Sequence, residues 1–245
     1  MQDMEVIRCG NCRKKLAEGT YTALAIKCPR CGALNQLRAS SPPQERPGQK
    51  WLATELLRMC LARGDDVAAV SVQRLDDRLA ALAMAEDVPV CQVQRRLTAE
   101  WVPHDVDVIL CAHAHVFISA EARAKARFGA LGFHPSLLPR HRGRDATRWA
   151  IHMGEHMTGG TAYWLDDGAD TGPIAAQDWC WIRPGDTPET LWRRDLAPMG
   201  LRLFGEVLQK LERGENPRTP QDAGLATWEP SFTSGTLGGG SLPNA

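Results

Sequence analysis

The chain has 245 residues, of which 43% are hydrophobic, so it is long enough for one sizeable core and a small accessory module. No apolar run approaches the roughly 18 residues that a membrane-spanning helix needs. The amino terminus, "MQDMEVIRCG", lacks the apolar core of a signal peptide. The sequence therefore predicts a cytoplasmic protein that makes no membrane contact.

The formal net charge is zero, but the charges are unevenly distributed. Residues 1–50 contain 9 Lys and Arg against 4 Asp and Glu, which leaves 20 against 25 for the rest of the chain. A basic amino-terminal segment ahead of an acidic body places any nucleic-acid contact in that segment. A small, charged and solvated domain is the alternative.

Four of the eight cysteines form two CxxC pairs separated by fifteen residues, a spacing typical of zinc sites. Two such turns can complete a tetrahedral shell of thiolates, and a segment of about 40 residues is too short to hold a fold by its apolar core alone. Two disulfides are the alternative, which the expected cytosolic location disfavours. The predicted zinc ligands are Cys9, Cys12, Cys28 and Cys31. The other cysteines are predicted core residues: Cys60, Cys91, Cys111 and Cys180.

The sequence around the four ligand cysteines is basic, as in "CGNCRKKLAEGT" and "IKCPRCGALNQLRAS". Residues 6–42 resemble Com, the zinc-binding translational regulator of Mu-like phages, through "IRCGNCRKKL" and "IKCPRCG" as well as through the cysteines. The resemblance implies a zinc-binding module over residues 1–40 that contacts RNA or DNA through phosphates, with a strong salt dependence. A zinc ribbon with a purely structural role is the alternative.

Residues 41–50 lie in the stretch "ASSPPQERPGQK", whose proline, serine and charge content predicts a linker. From Trp51 onward, apolar segments at helical spacing alternate with short apolar strand segments such as "VDVILCA" and "ALGF". This alternation predicts an α/β domain over residues 51–232, built on a doubly wound, mostly parallel sheet. Residues 233–245, "TSGTLGGGSLPNA", predict a disordered tail.

Polar residues follow the predicted strands at two places. His134 comes directly after "ALGF", and Asp166, Asp167 and Asp170 lie in a loop between two apolar strands. Ligands of doubly wound sheets bind beyond the carboxyl ends of the strands. There a histidine can stabilise charge on a carbonyl oxygen, while a carboxylate orients it and helps to move a proton. A histidine that fills a turn and an acidic surface loop are the alternatives that the pattern leaves open.

Two motifs, "HPSLLPRHRG" and "GGTAYWLDDGADTGPIAAQ", make the body similar to folate-dependent formyltransferases, the group that contains the glycinamide ribonucleotide and methionyl-tRNA formyltransferases. The resemblance covers about Trp51 to Phe232. It implies transfer of a formyl group from 10-formyltetrahydrofolate to an amine, with the motif histidine at His134 and the motif aspartate at Asp170. It also implies that the backbone of two loops holds the pteridine. The corresponding residues are His115, Val116, Phe117, Ile118, Asp166, Asp167, Gly168 and Ala169.

The sequence departs from this family most clearly at Gly132. The family has an asparagine there, whose amide hydrogen-bonds the formyl oxygen. Loss of one such donor typically costs about 10² to 10³ in rate. The candidate replacement donors are Arg144, His113 and His115.

Two further departures concern whole segments. The family's first strand should precede Trp51, where this chain has the proline-rich linker. We expect the sheet to lack that strand, unless the zinc module or the linker supplies an edge. We also expect no counterpart of the carboxyl-terminal barrel of the methionyl-tRNA enzyme, because only 13 residues follow Phe232. We therefore expect neither methionyl-tRNA nor glycinamide ribonucleotide as the acceptor.

Two functions follow from the sequence. The first is a formyltransferase, in which His134 stabilises the tetrahedral oxyanion and Asp170 assists proton transfer. The acceptor could be a nucleotide or a nucleic-acid base. Its phosphate could be held by Arg140, Arg142, Arg144 and Arg148, although exposed helix arginines are the alternative. The second function is a zinc-dependent RNA-binding regulator with an inactive formyltransferase-like body. The Com-like module favours a phage-encoded role in nucleic-acid modification.

Overall fold

A computed structural model describes residues 50–112 and 116–232 in full and gives the backbone of the strands at residues 5–8, 15–19, 23–27 and 34–38. The chain divides into two compact units, Met1–Pro47 and Gly48–Ala245, each of which is described by itself. Within the described ranges no helix combines the length and apolar character needed to cross a membrane.

The amino-terminal unit contains two antiparallel pairs of strands. The first pair is β1 (Glu5–Arg8) with β2 (Lys15–Gly19), and the second is β3 (Ala23–Lys27) with β4 (Leu34–Arg38). Each CxxC sequence falls in the segment that joins the two strands of one pair. The four predicted zinc ligands lie outside the described residues, so the zinc site stays a prediction.

The larger unit, called the body below, alternates helices with short strands. Its helices are α1 (Trp51–Arg63), α2 (Arg78–Ala85), α3 (Ala120–Lys125), α4 (Ala146–His152), α5 (Pro188–Leu191) and α6 (Ala197–Glu212). Its strands are β5 (Val70–Val72), β6 (Val90–Gln92), β7 (Arg96–Leu97), β8 (Ile109–Cys111), β9 (Phe117–Ile118), β10 (Ala130–His134), β11 (Met157–Trp164) and β12 (Ile174–Trp181).

The central sheet of the body has four strands in the order β12, β11, β10, β8. β8 and β10 are parallel because α3 crosses over between them, whereas β10, β11 and β12 pair antiparallel. The loop from β11 to β12 spans only residues 165–173, which is too short for the crossover that parallel strands require. The α/β class predicted from the sequence is confirmed, while the parallel part of this sheet is confined to one pair of strands.

Two more strand pairs, β5 with β6 and β7 with β9, are parallel and form separate small sheets. β5 and β8 line the same cavity of about 720 Å³, together with apolar side chains of α1 and α6. Neither strand has a second strand neighbour within the described parts of the chain. The residues directly ahead of Lys50 lie outside the described ones, so the expectation about a strand before Trp51 stays a prediction.

The main core forms where α1 and α6 pack on β11. Its most deeply buried side chains include Leu52, Trp164, Leu203 and Phe204. α5 and α6 are joined by one wide helical turn at Trp192–Leu196, in which the Ala197 N–H donates to the Trp192 carbonyl. Pro198 explains this turn, because it has no N–H to donate and its ring would clash with the carbonyl of the preceding turn. Helices α5 and α6 therefore form one long helix that widens locally at this proline.

Candidate active site

His134 is the last residue of β10, and its side chain is buried. Its Nε2 atom lies 2.7 Å from the backbone carbonyl oxygen of His141. Because a carbonyl oxygen only accepts hydrogen bonds, Nε2 carries the hydrogen of this contact. The other ring nitrogen, Nδ1, lies 3.6 Å from Oδ2 of Asp170, which is longer than a hydrogen bond. Nδ1 is thus the ring nitrogen that remains available to a reacting group.

Asp170 lies in the loop between β11 and β12, where its φ of 56° is in the left-handed region that aspartate tolerates better than most residues. The Tyr163 hydroxyl donates to Oδ1 at 2.5 Å, and the Gly143 N–H donates to Oδ2 at 2.8 Å. Burial, reinforced by the nearby Asp170 carboxylate, raises the pKa of Tyr163 well above its usual value. The tyrosine therefore keeps its proton, and each carboxylate oxygen has a fixed donor.

The route by which Asp170 reaches His134 differs from the expected one. Since β11 is antiparallel to β10, its carboxyl end lies beside Leu131 rather than beside His134. Gly132 and His134 point to one face of the sheet because side chains alternate along a strand, and Tyr163, paired with Gly132, points to that same face. The loop after β11 turns back over this face, where Tyr163 meets Asp170.

The sequence "DDGADTG" builds this loop through local hydrogen bonds. Oδ1 of Asp166 accepts the Gly168 N–H at 3.0 Å and the Thr171 hydroxyl at 2.7 Å, a short-range pattern typical of aspartate in turns. Gly172 is required by close packing, since a Cβ there would lie 1.7 Å from the Trp164 carbonyl oxygen. Asp166 therefore shapes the loop rather than facing His134.

Gln221, which lies outside the loop between β11 and β12, binds that loop through hydrogen bonds. Its amide nitrogen donates to the carbonyl oxygens of Asp170 at 2.9 Å and Gly172 at 2.7 Å, while its Oε1 accepts from Arg142 Nη2 at 2.8 Å. One side chain from the carboxyl-terminal segment thus joins the aspartate loop to the histidine motif.

His141 supports the carbonyl group that holds His134. The His141 ring is buried, with Nε2 at 3.0 Å from Glu155 Oε1 and Nδ1 at 3.0 Å from Glu229 Oε2. The second contact is at ion-pair distance but lacks hydrogen-bond geometry. The His141 N–H donates to the Thr227 hydroxyl oxygen at 2.8 Å. His141 is therefore fixed through both its ring and its backbone.

The two predicted folate loops lie side by side. Of the first, Val116 is half-buried, Phe117 is exposed and Ile118 is buried, while His115 and the neighbouring His113 lie outside the described residues. Val116 packs in the same apolar cluster as Leu165, which begins the aspartate loop. The structure thus brings the first loop next to the second.

Arg123, on α3, bridges the two loops. Its Nη1 donates to the Ile118 carbonyl oxygen at 2.7 Å, and its Nη2 forms a hydrogen-bonded ion pair with the Asp167 carboxylate. Gly168 and Ala169, which follow Asp167, are exposed. The backbone of these residues is accessible to a ligand, whereas the Asp167 carboxylate is already paired.

The four arginines near the motif fall into two groups. Arg140 pairs with Glu155, and Arg142 is bonded to Gln221. Arg144 and Arg148 are both exposed. Arg144 makes no hydrogen bond or ion pair with any residue that the structure describes, and Arg148 lies over the ring of Phe232 at 5.9 Å.

Sequence reasoning missed several groups of this site. Tyr163 lies within the quoted motif, but nothing in the motif indicates that its hydroxyl binds Asp170. The Gly143 N–H and the His141 carbonyl are backbone groups, which no residue type reveals. Gln221 reaches Asp170 across 51 positions of sequence. An amide side chain at such a distance has no local pattern that could have revealed it.

Comparison with known proteins finds two family models that match parts of this chain. Residues 83–200, which lie within the body, match the family model "Formyl transferase". Residues 3–50 match the model of the Mu-like prophage protein Com.

The chain has curated relatives of more than one kind. The chain is 34% identical over 195 residues to the mitochondrial 10-formyltetrahydrofolate dehydrogenase of Mus musculus, a match that covers 74% of this chain and 21% of the relative. It is also 34% identical over 203 residues to the methionyl-tRNA formyltransferase of Acidobacterium capsulatum, covering 76% of this chain and 64% of that one. The chain spans about a fifth of the length of the dehydrogenases that it matches.

Solved structures share the fold of the body. The phosphoribosylglycinamide formyltransferase of Bacillus halodurans matches with a TM-score of 0.57 and 25% identity, over 69% of this chain and 94% of that one. HypX of Aquifex aeolicus, solved in complex with tetrahydrofolic acid, matches with a TM-score of 0.51 and 22% identity, over 66% of this chain and 29% of that one. The second likeness concerns the fold alone.

Gln221→Ala tests how the aspartate loop is held. We expect the free energy of unfolding to fall by about 1–3 kcal/mol, because two backbone carbonyls lose their donor. Amide hydrogen exchange should accelerate in residues 166–172. Gln209→Ala, on the exposed face of α6, is the matched control and should change neither quantity. Unchanged exchange in the loop of Gln221→Ala would contradict this role.

Proposed function

We propose that the body transfers a formyl group from 10-formyltetrahydrofolate to an amine acceptor. The observation that carries the proposal is the paired geometry of His134 and Asp170, set beside the two loops expected to hold folate. The match to the formyl transferase family supports the same reaction. Bound 10-formyltetrahydrofolate supplies the formyl group, which the amine takes up as the bond to the folate nitrogen breaks.

His134 is the group placed to act on the reacting carbonyl. Its Nε2 is engaged by the His141 carbonyl, so Nδ1 is the atom that faces the charge developing on the formyl oxygen. Asp170 lies 3.6 Å from Nδ1 and provides a negative charge beside the ring. This arrangement places a carboxylate beside the ring nitrogen that would act on the oxyanion and on the proton that the amine loses.

The residues that would hold the folate are those of the two loops. Val116 and Ile118 contribute backbone groups and apolar surface, and Gly168 and Ala169 contribute exposed backbone. Arg123 keeps the two loops together through Ile118 and Asp167. Polar backbone atoms at fixed spacing suit the hydrogen-bonding edge of a pteridine.

For the acceptor, the proposal extends to an amine that carries a phosphate, such as a nucleotide or a nucleic-acid base. Arg144 supports this, because it is exposed, it lacks a partner among the described residues, and it directly follows Gly143, whose N–H binds Asp170. A guanidinium at this position can pair with a phosphate oxygen. The acceptor amine would then lie beside the histidine and aspartate.

For the amino-terminal unit we propose a zinc-dependent RNA-binding module. The support is the match to the Com protein, the basic sequence, and a donor set of four thiolates, which Zn²⁺ prefers. The residues that would hold the metal are Cys9, Cys12, Cys28 and Cys31, and bound zinc would join the two strand pairs.

A second function, that of a regulator with an inactive body, is favoured by one observation: Gly132 has no side chain with which to hydrogen-bond a formyl oxygen. The first experiment below separates the two functions.

His134→Ala and Asp170→Asn should each lower the rate of formyl transfer by about 10²- to 10⁴-fold, because each removes a group that acts on charge or a proton in the transition state. The measurement is the release of tetrahydrofolate and the mass of the formylated product, with a panel of primary amines that includes nucleotides. His156→Ala, an exposed histidine just before β11, is the matched control. Tight binding of 10-formyltetrahydrofolate without turnover on any amine, unchanged by His134→Ala, would favour the regulator.

Arg123→Ala should weaken folate binding by about ten-fold, because the two loops lose the charged group that bridges them. The dissociation constant of tetrahydrofolate, followed by tryptophan fluorescence, gives the answer. Arg127→Ala removes a nearby exposed arginine that pairs with Asp107, and it should bind as the unmodified protein does. Equal affinity for tetrahydrofolate in both variants would contradict the proposed role of Arg123 as a bridge between the two loops.

Cys9→Ser should abolish stoichiometric zinc binding and reduce RNA retention, since both depend on the four-thiolate site. Metal analysis and a filter-binding assay at low and high salt measure the two effects. Cys180→Ser, in the body, should leave both unchanged. Full RNA binding without metal would refute the zinc-dependent module.

A further inference from the structure

We infer that Tyr163 is a positioning residue of the formyl transfer site, and that Gly132 is a glycine because the Tyr163 ring needs its space. The inference rests on the proposed function of the body. It assigns a role to a residue outside the histidine and aspartate pair, and it gives a physical reason for the missing amide.

The first observation is the packing between the two residues. Gly132 and Tyr163 are direct cross-strand partners on β10 and β11. A Cβ at position 132 would lie 3.2 Å from Cε1 and 3.4 Å from Cζ of Tyr163, and 3.2 Å from Cδ2 of Leu165. The neighbours would have to give way even for alanine. An asparagine, which adds three heavy atoms beyond Cβ, would compete with the tyrosine ring for the same volume.

The second observation is where the hydroxyl goes. Tyr163 is 6% exposed, so its hydroxyl needs a partner within the protein. That partner is Oδ1 of Asp170, at 2.5 Å. A polar group is thus present on β11, one strand away from Gly132 and on the same face of the sheet. It acts on the aspartate.

The consequence for the site is the orientation of the Asp170 carboxylate. Tyr163 takes Oδ1, which leaves Oδ2 for the Gly143 N–H and for the side that faces His134. Without the hydroxyl, the carboxylate keeps one donor among the residues that the structure describes, the Gly143 N–H, and it can rotate about its Cβ–Cγ bond. Tyr163 therefore acts through Asp170, and it holds the oxygen that faces His134 in place.

Tyr163→Phe isolates the hydroxyl, because the ring that covers Gly132 remains. We expect kcat for formyl transfer to fall by about 10- to 100-fold, as for loss of a hydrogen bond to a charged group, while KM for 10-formyltetrahydrofolate stays within about three-fold. The chain has only two tyrosines, so Tyr21→Phe is the matched control. A tyrosine that merely fills space predicts unchanged kcat in Tyr163→Phe, and that result would overturn the inference.

A double-mutant cycle keeps the test independent of folding. If Tyr163 acts through Asp170, adding Tyr163→Phe to Asp170→Asn should lower the residual rate by less than about three-fold. Thermal unfolding of each variant identifies any loss of rate that arises from instability. A full, additive loss in the double variant would contradict the inference.

Gly132→Asn provides the complementary test. We expect it to lower both kcat and the unfolding temperature, because the amide and the tyrosine ring compete for one space. If Gly132 were simply a lost donor, restoring the amide would raise kcat by about 10² to 10³, and such a gain would overturn the inference. Absence of formyl transfer in the unmodified protein would contradict the proposed function itself, and the inference would fall with it.

Discussion

The carboxylate of Asp170 is the fixed point on which the site depends. The backbone of Asp170 adopts a left-handed conformation, and each of its side-chain oxygens accepts a hydrogen bond. The backbone carbonyl of Asp170 accepts a hydrogen bond from the Gln221 amide. These contacts come from β11, from the histidine motif and from the carboxyl-terminal segment. A partly buried carboxylate whose two oxygens each accept a hydrogen bond presents one defined oxygen to His134. Such preorganisation favours acyl transfer.

The sheet makes this arrangement possible in an indirect way. β10 places His134 and Gly132 on one face, and the antiparallel β11 adds Tyr163 to that face. The loop after β11 returns over the same surface, so the aspartate approaches the histidine from above the sheet. The site is therefore built on a sheet face. The two loops proposed to hold folate lie beside it, and Arg123 joins those loops.

The sequence predicted the parts of this structure that depend on local pattern. Helix α1 ends at Gly64 in a left-handed conformation, as its terminal glycine indicates, and β8 and β10 are the apolar runs "ILC" and "ALGFH". The pairing of His134 with Asp170 came from the two motifs. The features that could not be predicted depend on strand direction and on contacts distant in sequence. No periodicity or spacing indicates the antiparallel direction of β11, the contact of the Tyr163 hydroxyl or the contact of the Gln221 amide.

The interpretation of Gly132 depends on the folded structure and not on the sequence alone. In the sequence alone, Gly132 lacks a side-chain hydrogen-bond donor. In the folded chain it lies beneath an aromatic ring whose hydroxyl binds the aspartate. The two candidate functions of the body, active transfer and binding alone, differ in whether this altered set of donors still stabilises a transition state.

A crystal structure with a stable analogue of 10-formyltetrahydrofolate tests the central claim most directly. We predict that the pteridine lies between the loops at residues 116–118 and 166–169, with the formyl oxygen of the analogue within hydrogen-bond reach of His134 Nδ1. An analogue bound elsewhere, for example in the cavity between β5 and β8 with its formyl group remote from His134, would contradict it.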